Sequence, residues 1–324
     1  MPRLENLKKL ASREITPAPP SWPLVFHLLI SNNSPNSSSL GASVAASGEA
    51  SIFSYARNSI EPMYFSTIGG IQRLKEFTGY EVKNLRSTDA EEVFAFIKEA
   101  VDSGSGLFAA GPEAGLCYGY DDPGPAEKRE VYGFSNWGPA LNGTVPWQTF
   151  IKYAAAFGDT EGFACLGIES HPVSAGSILE MIAAAVIGWQ EKHPAVSFGM
   201  KQEYYGLPAF RKFIEDIRDP QIRPKIDEAY ISCHVIQSQT GGRYWLGKYL
   251  KQLSVQFTAD MQNQILEIGD LYLTVFNKLK QFVDLNIAEN RSEEEIQKAV
   301  NRLEEAYYAD EQILDEFISL RKKV

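Results

Sequence analysis

A chain of 324 residues exceeds one compact bundle and suits two modest domains, each with its own core. With 44% hydrophobic residues, 12% aromatics and a mean hydropathy of -0.22, it is neither collagenous, wholly disordered nor membrane-like. The 41 acidic against 31 basic residues leave a net charge of -10, which opposes phosphate neutralisation and argues against a nucleic-acid partner.

Taken in chain order, residues 1–50 read as a partly disordered extension. Pro17, Pro19, Pro20 and Pro23 interrupt regular structure, and Asn32 to Ser39 is a polar cluster with little to bury. Trp22 to Ile30 is the one apolar run here, too short and too far behind a polar leader for a signal segment. Nothing reads as a transmembrane helix, and the expected location is cytoplasmic.

From Met63 to Thr78, Ile68, Ile71, Leu74 and Phe77 recur at helical spacing before Gly79, a residue suited to a left-handed cap. A strand is expected over Tyr80 to Leu85. Thr88 with Glu91 has capping-box spacing, and Ala90, Val93, Phe94, Ile97 and Val101 mark a buried stripe ending at Gly104. Three runs then read as an antiparallel meander: Gly106 to Ala110, Gly115 to Tyr120 and Arg129 to Ser135. A short helix over Trp147 to Phe157 and a strand over Gly162 to Glu169 close this domain, assigned to residues 51–170, with the boundary at His171-Pro172.

Residues 171–324 read as all helical. Val173 to Gln190 is apolar nearly all round, and shorter helices are expected over Leu207 to Ile217 and Lys225 to Gln237. Leu246, Leu250, Leu253, Phe257, Met261, Ile265, Ile268, Tyr272, Phe276, Leu279 and Phe282 step by three or four, consistent with one helix of about 55 Å if unbroken. Ser292 with Glu295 predicts a second capping box, after which Ile296 to Phe317 continues the stripe with Asp310 as an interruption. The mixed aromatic and aliphatic stripe favours intramolecular antiparallel pairing, with a homodimer through the long helices as the competing arrangement.

The most distinctive text runs from Gly106 to Asp122. Asp102-Ser103-Gly104, Gly119-Tyr120-Asp121 and Ser135-Asn136-Trp137-Gly138 occur in that order across about residues 63–169. This stretch resembles papain-like domains of the peptidase C39-like and butirosin-biosynthesis-protein-H-like type. The later Gly206-Leu207-Pro208-Ala209-Phe210 and Arg243-Tyr244-Trp245-Leu246 resemble the helical partner domain of the same group. The resemblance implies an α+β protein, a papain-like antiparallel β meander with helices followed by an all-α domain.

The same resemblance implies a Cys thiolate at a helix N-terminus, activated by a His near the strand before Gly-Tyr-Asp. Glu113 stands six residues before Gly119 where that His is expected, and no Cys precedes Ile71. Cys117 is the obvious substitute nucleophile, but a mid-strand thiol beside a carboxylate has nothing to lower its pKa and reads as a buried structural Cys. Strand alternation places Glu113, Gly115, Cys117 and Gly119 on one face and Leu116, Tyr118 and Tyr120 on the other. A His brought against Cys117, such as His27, would turn the reading towards an enzyme.

No catalytic residue is therefore assigned. The cleft residues singled out are Glu113, Cys117, Tyr120, Asp121, Asn136, Trp137 and Arg243, each with a structural alternative. Asp121 with Asp122 also suits a turn, Asn136 and Trp137 a loop and core lid, and Arg243 interdomain packing. Cys117, Cys165 and Cys233 have neither disulfide nor zinc spacing, no His pair has metal-ligand spacing, and no phosphate-binding Gly-rich loop occurs, so no metal or cofactor is expected. The expected function is a catalytically degenerate cysteine-peptidase-like protein binding a small molecule or peptide in the cleft between its two domains. The competing reading is an active acyltransferase or amide-processing enzyme.

Overall fold

The computed structural model describes residues 3–33, 40–48, 53–55, 70–109, 114–135, 142–155, 162–191, 204–226, 239–285 and 291–322. The described helices are α1 (Glu5–Ala11), α2 (Ser21–Asn33), α3 (Leu40–Ser47), α4 (Gly70–Thr78), α5 (Ala90–Asp102), α6 (Trp147–Ala155), α7 (Ala175–Glu191), α8 (Gly206–Arg218), α9 (Gly242–Ser254), α10 (Ala259–Asp284) and α11 (Glu293–Arg321). The strands are β1 (Ser54–Tyr55), β2 (Tyr80–Leu85), β3 (Leu107–Ala109), β4 (Gly115–Asp121), β5 (Glu130–Phe134), β6 (Gly143–Pro146), β7 (Phe163–Ser170) and β8 (Tyr204–Tyr205). The architecture is α+β, with an antiparallel six-stranded sheet and a helical C-terminal region.

Two compact units divide the chain. The first comprises Met1–Thr16, Ser21–Ser47 and Ile68–Val173, and the second Pro17–Pro20, Gly48–Thr67 and Ser174–Val324. In the first unit the sheet order is β2-β7-β3-β4-β5-β6, every pairing antiparallel. On β3, Leu107 and Ala109 join the core built with Val93, Phe94 and Ile97 of α5 and Trp147 and Phe150 of α6. Phe108 points to the opposite face, as strand alternation demands, and meets Trp22 and Phe26 of α2 at ring-centroid distances of 4.6 and 4.9 Å.

The segment read as a loose extension thus supplies core. Leu7, Phe26, Leu28 and Leu29 are buried, and Leu4 N–H donates to Tyr118 O at 2.8 Å. Two physical reasons hid this. A helix buried on most sides loses the amphipathic period, and Pro23 lies in the first turn of α2, where a missing N–H costs nothing. The four residues Pro17–Pro20 group instead with the second unit, where Trp245 Nε1 donates to Pro17 O at 3.0 Å.

The five expected strands fall within a residue of their places, but β1, β6 and β8 were not expected, and β8 puts a strand within residues 171–324, read as all helical. Gly79 does cap α4, with φ of 70°, and a Cβ there would lie 1.8 Å from the His171 carbonyl oxygen. The N-cap of α5 is Asp89, one residue past the expected Thr88: its Oδ1 accepts from Glu91 N–H at 3.0 Å and Glu92 N–H at 2.9 Å. A carboxylate accepts two amides at the positive end of the helix dipole more strongly than a hydroxyl, so Asp89 displaces its neighbour.

In the second unit β1 and β8 form a two-stranded ribbon beside α8, with Phe53 stacked on Phe210 at 4.1 Å and Tyr55 Oη donating to the buried Asp216 at 2.9 Å. The long apolar stripe is not one helix. Residues 255–258 break it into α9 and α10, which run antiparallel: Tyr244 meets Phe276, and Lys251 pairs with Asp270 at 2.5 Å. The stepping by three and four continues through the break, so periodicity alone could not locate it. Gly247 and Gly269 let the two backbones approach, since a Cβ on Gly247 would sit 2.8 Å from Gly269 O.

The expected antiparallel pairing of the last two helices holds, with Gln264 donating to Glu316 and Lys278 bonded to Glu305. The capping box at Ser292 and Glu295 is present in full. Much of the expected helix over Lys225 to Gln237, and the start of the one expected from Met63, lies outside the described residues. No described helix is long and apolar enough to cross a membrane.

Candidate functional site

Register places the ends of several strands together. Because β3, β4, β5 and β6 alternate in direction, the pairs Ala109 with Gly115 and Gly133 with Gly143 sit towards the same end of the sheet. The pair Ala109 with Phe163 brings the start of β7 to that end as well. Asn142 clamps the β5 and β6 ends there: its Oδ1 accepts from Ser135 N–H at 2.8 Å and its Nδ2 donates to Ser135 O at 2.9 Å. Glu113, Asn136 and Trp137 lie outside the described residues. Asp121 pairs with Glu130 at the other end of the sheet, so it does not belong to the same cluster.

Cys117 occupies β4 opposite Leu107 and Gly133, fully buried, and its thiol donates to Gly119 O at 3.4 Å. Loss of water around the sulfur pushes its pKa up to about 12. At neutral pH that group is a thiol in the core that also holds Val93, Ile97 and Val131, without the thiolate that nucleophilic chemistry requires. Cys165, also buried in this core, is raised to about 11 by the same cause.

His27 does not meet Cys117. It lies on α2, the helix packed on the Phe108 face, with Nδ1 3.5 Å from Ser31 Oγ, and burial lowers its pKa. Cys117 belongs to the core on the other face.

Tyr120 corrects the alternation argument. A β-bulge between Cys117 and Gly119 moves the ladder by one residue, so Tyr120 pairs with Val131 and joins the same core as Cys117 rather than the opposite face. Its hydroxyl donates to Asp102 Oδ1 at 2.9 Å and Oδ2 at 3.1 Å, and desolvation followed by that carboxylate raises its pKa. The Asp-Ser-Gly and Gly-Tyr-Asp stretches of the sequence therefore meet through the Tyr120 hydroxyl and the Asp102 carboxylate, 18 residues apart in the chain.

Around Tyr120 lies a charged cluster that local pattern reading missed. Asp122 accepts from Lys98 Nζ at 3.1 Å and Arg129 Nε at 3.2 Å, while Arg129 Nη1 reaches Glu91 at 2.6 Å and its guanidinium lies 4.4 Å from the Phe94 ring centroid. The Lys98 hydrogen bond, then that of Arg129, holds the Asp122 carboxyl below the usual range. Asp122 is thus engaged by two cations of its own chain rather than presented to a substrate amine. Only the mixed charges on α5 and after β4 hinted at this, and they carry no register information.

Arg243, read as facing a cleft, is a core residue of the second unit with 1% exposure. Its Nη2 donates to Asp310 Oδ2 at 2.6 Å and its Nε to Asp310 Oδ1 at 3.4 Å, and Nη1 bonds Gln239. Asp310, the break in the last apolar stripe, is explained by this guanidinium. The neighbouring Tyr244 and Trp245 are half-buried and stack edge to face at 5.1 Å.

Among the described residues no group of three or more His, Cys, Asp and Glu side chains is arranged to hold a metal ion. No protein-family model, curated protein or solved structure matches the chain.

Proposed function

We propose that the first unit is a papain-like domain without catalytic chemistry that binds a small molecule or peptide, in a protein of the cytoplasm. The observation carrying this reading is the state of Cys117. The thiol in the distinctive hairpin is buried, protonated through neutral pH and bonded to Gly119 O, and the half-buried His27 packs on the other sheet face. A group so placed stabilises a core and attacks nothing. The Tyr120 to Asp102 bond and the Asp122 cluster likewise tie the hairpin to α5 rather than activate a nucleophile.

Binding is assigned to the end of the sheet where Ala109, Ala114, Ser135 and Asn142 gather, because the ends of strands on a rigid sheet are where recognition groups sit. Glu113, Asn136 and Trp137, the candidates that the sequence singles out for an amine or amide ligand, lie outside the described residues.

The test is hydrogen exchange of the intact chain with a panel of dipeptides, tripeptides and small amides, with the same mixtures followed by mass spectrometry. The expected result is slowed exchange within residues 109–115 and 134–143 for at least one probe, with every probe recovered unchanged. A covalent acyl adduct or a cleaved probe would contradict the absence of chemistry. Unaltered exchange with the whole panel would contradict the binding role.

A further inference from the structure

Strand β3 runs beside β4 only from the pair Leu107 with Cys117 to the pair Ala109 with Gly115. From Tyr118 onward no described strand continues the β3 side, and β5 alone completes the ladder through Gly119 with Tyr132, Tyr120 with Val131 and Asp121 with Glu130. A half-open edge of this kind presents backbone donors and acceptors to an extended segment. The chain's own residues 3 and 4 take part of it. Arg3 bridges Gly119 in the antiparallel sense, and Leu4 N–H donates to Tyr118 O at 2.8 Å.

Tyr132 occupies the β5 side of Gly119, so Arg3 lies on the open side and the three residues form one row across the sheet. Side chains in a row share a face. Gly119 contributes none, and the Arg3 guanidinium reaches over it to rest 3.6 Å from the centre of the Tyr132 ring. The ring is buried beneath it, while Arg3 is exposed.

The next row on this face lies two residues along, where Asp121 stands opposite Glu130. Two carboxylates in direct cross-strand register repel. Both are half-buried, and neither enters an ion pair with a described residue, since Lys98 and Arg129 are taken by Asp122 and Glu91. In a strand seated as Arg3 is, the residue two places before the arginine comes opposite Asp121. The edge thus offers places for two cations spaced two residues apart, and among the described residues Arg3 fills one of them.

We propose that this half of β4 is a docking edge for an extended basic segment of a partner protein, with a basic residue two places before an arginine and an aliphatic residue after it. The segment adds an antiparallel strand in place of residues 3 and 4. Its arginine takes the Tyr132 ring, the following residue donates its N–H to Tyr118 O, and the earlier base neutralises Asp121 and Glu130. The net charge of -10 draws such a partner in. The edge lies at the opposite end of the sheet from the Ser135 and Asn142 clamp and does not depend on binding there.

Fluorescence anisotropy of a labelled hexapeptide containing Lys-Ala-Arg-Leu, titrated with the intact chain at low salt, tests this. Binding is expected, and Asp121→Asn with Glu130→Gln should weaken it on the order of tenfold. Tyr132→Leu should weaken it at least as much, and Arg3→Ala should tighten it by clearing the ring. Circular dichroism checks folding, and the Asn and Gln double variant should melt no lower than the wild type, because it relieves a repulsion. No binding up to about 1 mM by either the wild type or Arg3→Ala overturns the proposal. So does equal binding of a scrambled peptide with its two bases adjacent, since that is general attraction to an acidic chain. Binding that the Asn and Gln substitutions leave unchanged overturns it as well.

Discussion

Each unit holds a charged cluster, one at the surface and the other in the core. In the first, the charged groups form a chain along the sheet rim, from Lys98 through Asp122 and Arg129 to Glu91, with the last of these largely solvated. In the second, Arg243 and Asp310 sit inside a helical core with side-chain exposures of 1% and 10%. Solvent screens the rim pairs, whereas the buried guanidinium depends on Asp310 and Gln239 for the hydrogen bonds it lost to water. Position rather than the number of ion pairs therefore decides how much each cluster matters.

Breaking the buried pair from one side should show this most strongly. Asp310→Ala leaves Arg243 charged and unpaired, and is expected to lower stability by about 3–5 kcal/mol in a denaturant titration. Replacing both partners by apolar residues, Arg243→Met with Asp310→Leu, should recover most of that loss; a double variant as unstable as the single one would contradict the account. In the first unit a comparable effect comes from an uncharged residue. Phe108→Ala empties the space between Trp22 and Phe26 and should cost about 3–5 kcal/mol by the same titration. A loss under about 1 kcal/mol would mean that α2 is not core.

A smaller effect is expected at the α5 cap. Asp89→Ala removes the acceptor for two amides and should cost about 1 kcal/mol, while Thr88→Ala should change little. The smallest change belongs to the rim. Asp122→Asn should lower stability by under about 1 kcal/mol, less in high salt. Its pH dependence has a definite sign. The folded carboxyl is held below its unfolded value, so its contribution is complete above about pH 4 and fades as pH falls further, through the folded pKa. Thermal unfolding from pH 6 to pH 2 should show a shallower acid-side decline in the Asn variant than in the wild type.

These contrasts also mark what could be read from the chain itself. The β2 strand, the meander, the Gly79 cap and the Ser292 box follow from local chemistry, and they appear at or within a residue or two of their expected places. What failed depended on partners distant in sequence. Helix α2 was hidden in a segment read as a partly disordered extension because it packs on Phe108, more than 70 residues on. Asp310 looked like an interruption because Arg243 is 67 residues away. Tyr120 was placed on the wrong face because a bulge adds one residue to the ladder, and no glycine or proline rule fixes where a strand bulges. At the candidate site, burial of Cys117 was legible from its mid-strand place, while the ties of Tyr120 to Asp102 and Asp122 to Lys98 and Arg129 needed the fold.

Thiol alkylation of the native chain with peptide mass mapping tests the central claim most directly. With iodoacetamide at neutral pH, Cys117 should stay unmodified for as long as the protein is folded and react only once denaturant is added, as its burial and pKa of about 12 require. Rapid, selective modification of Cys117 in the folded protein would contradict the account and make the hairpin an active thiol site.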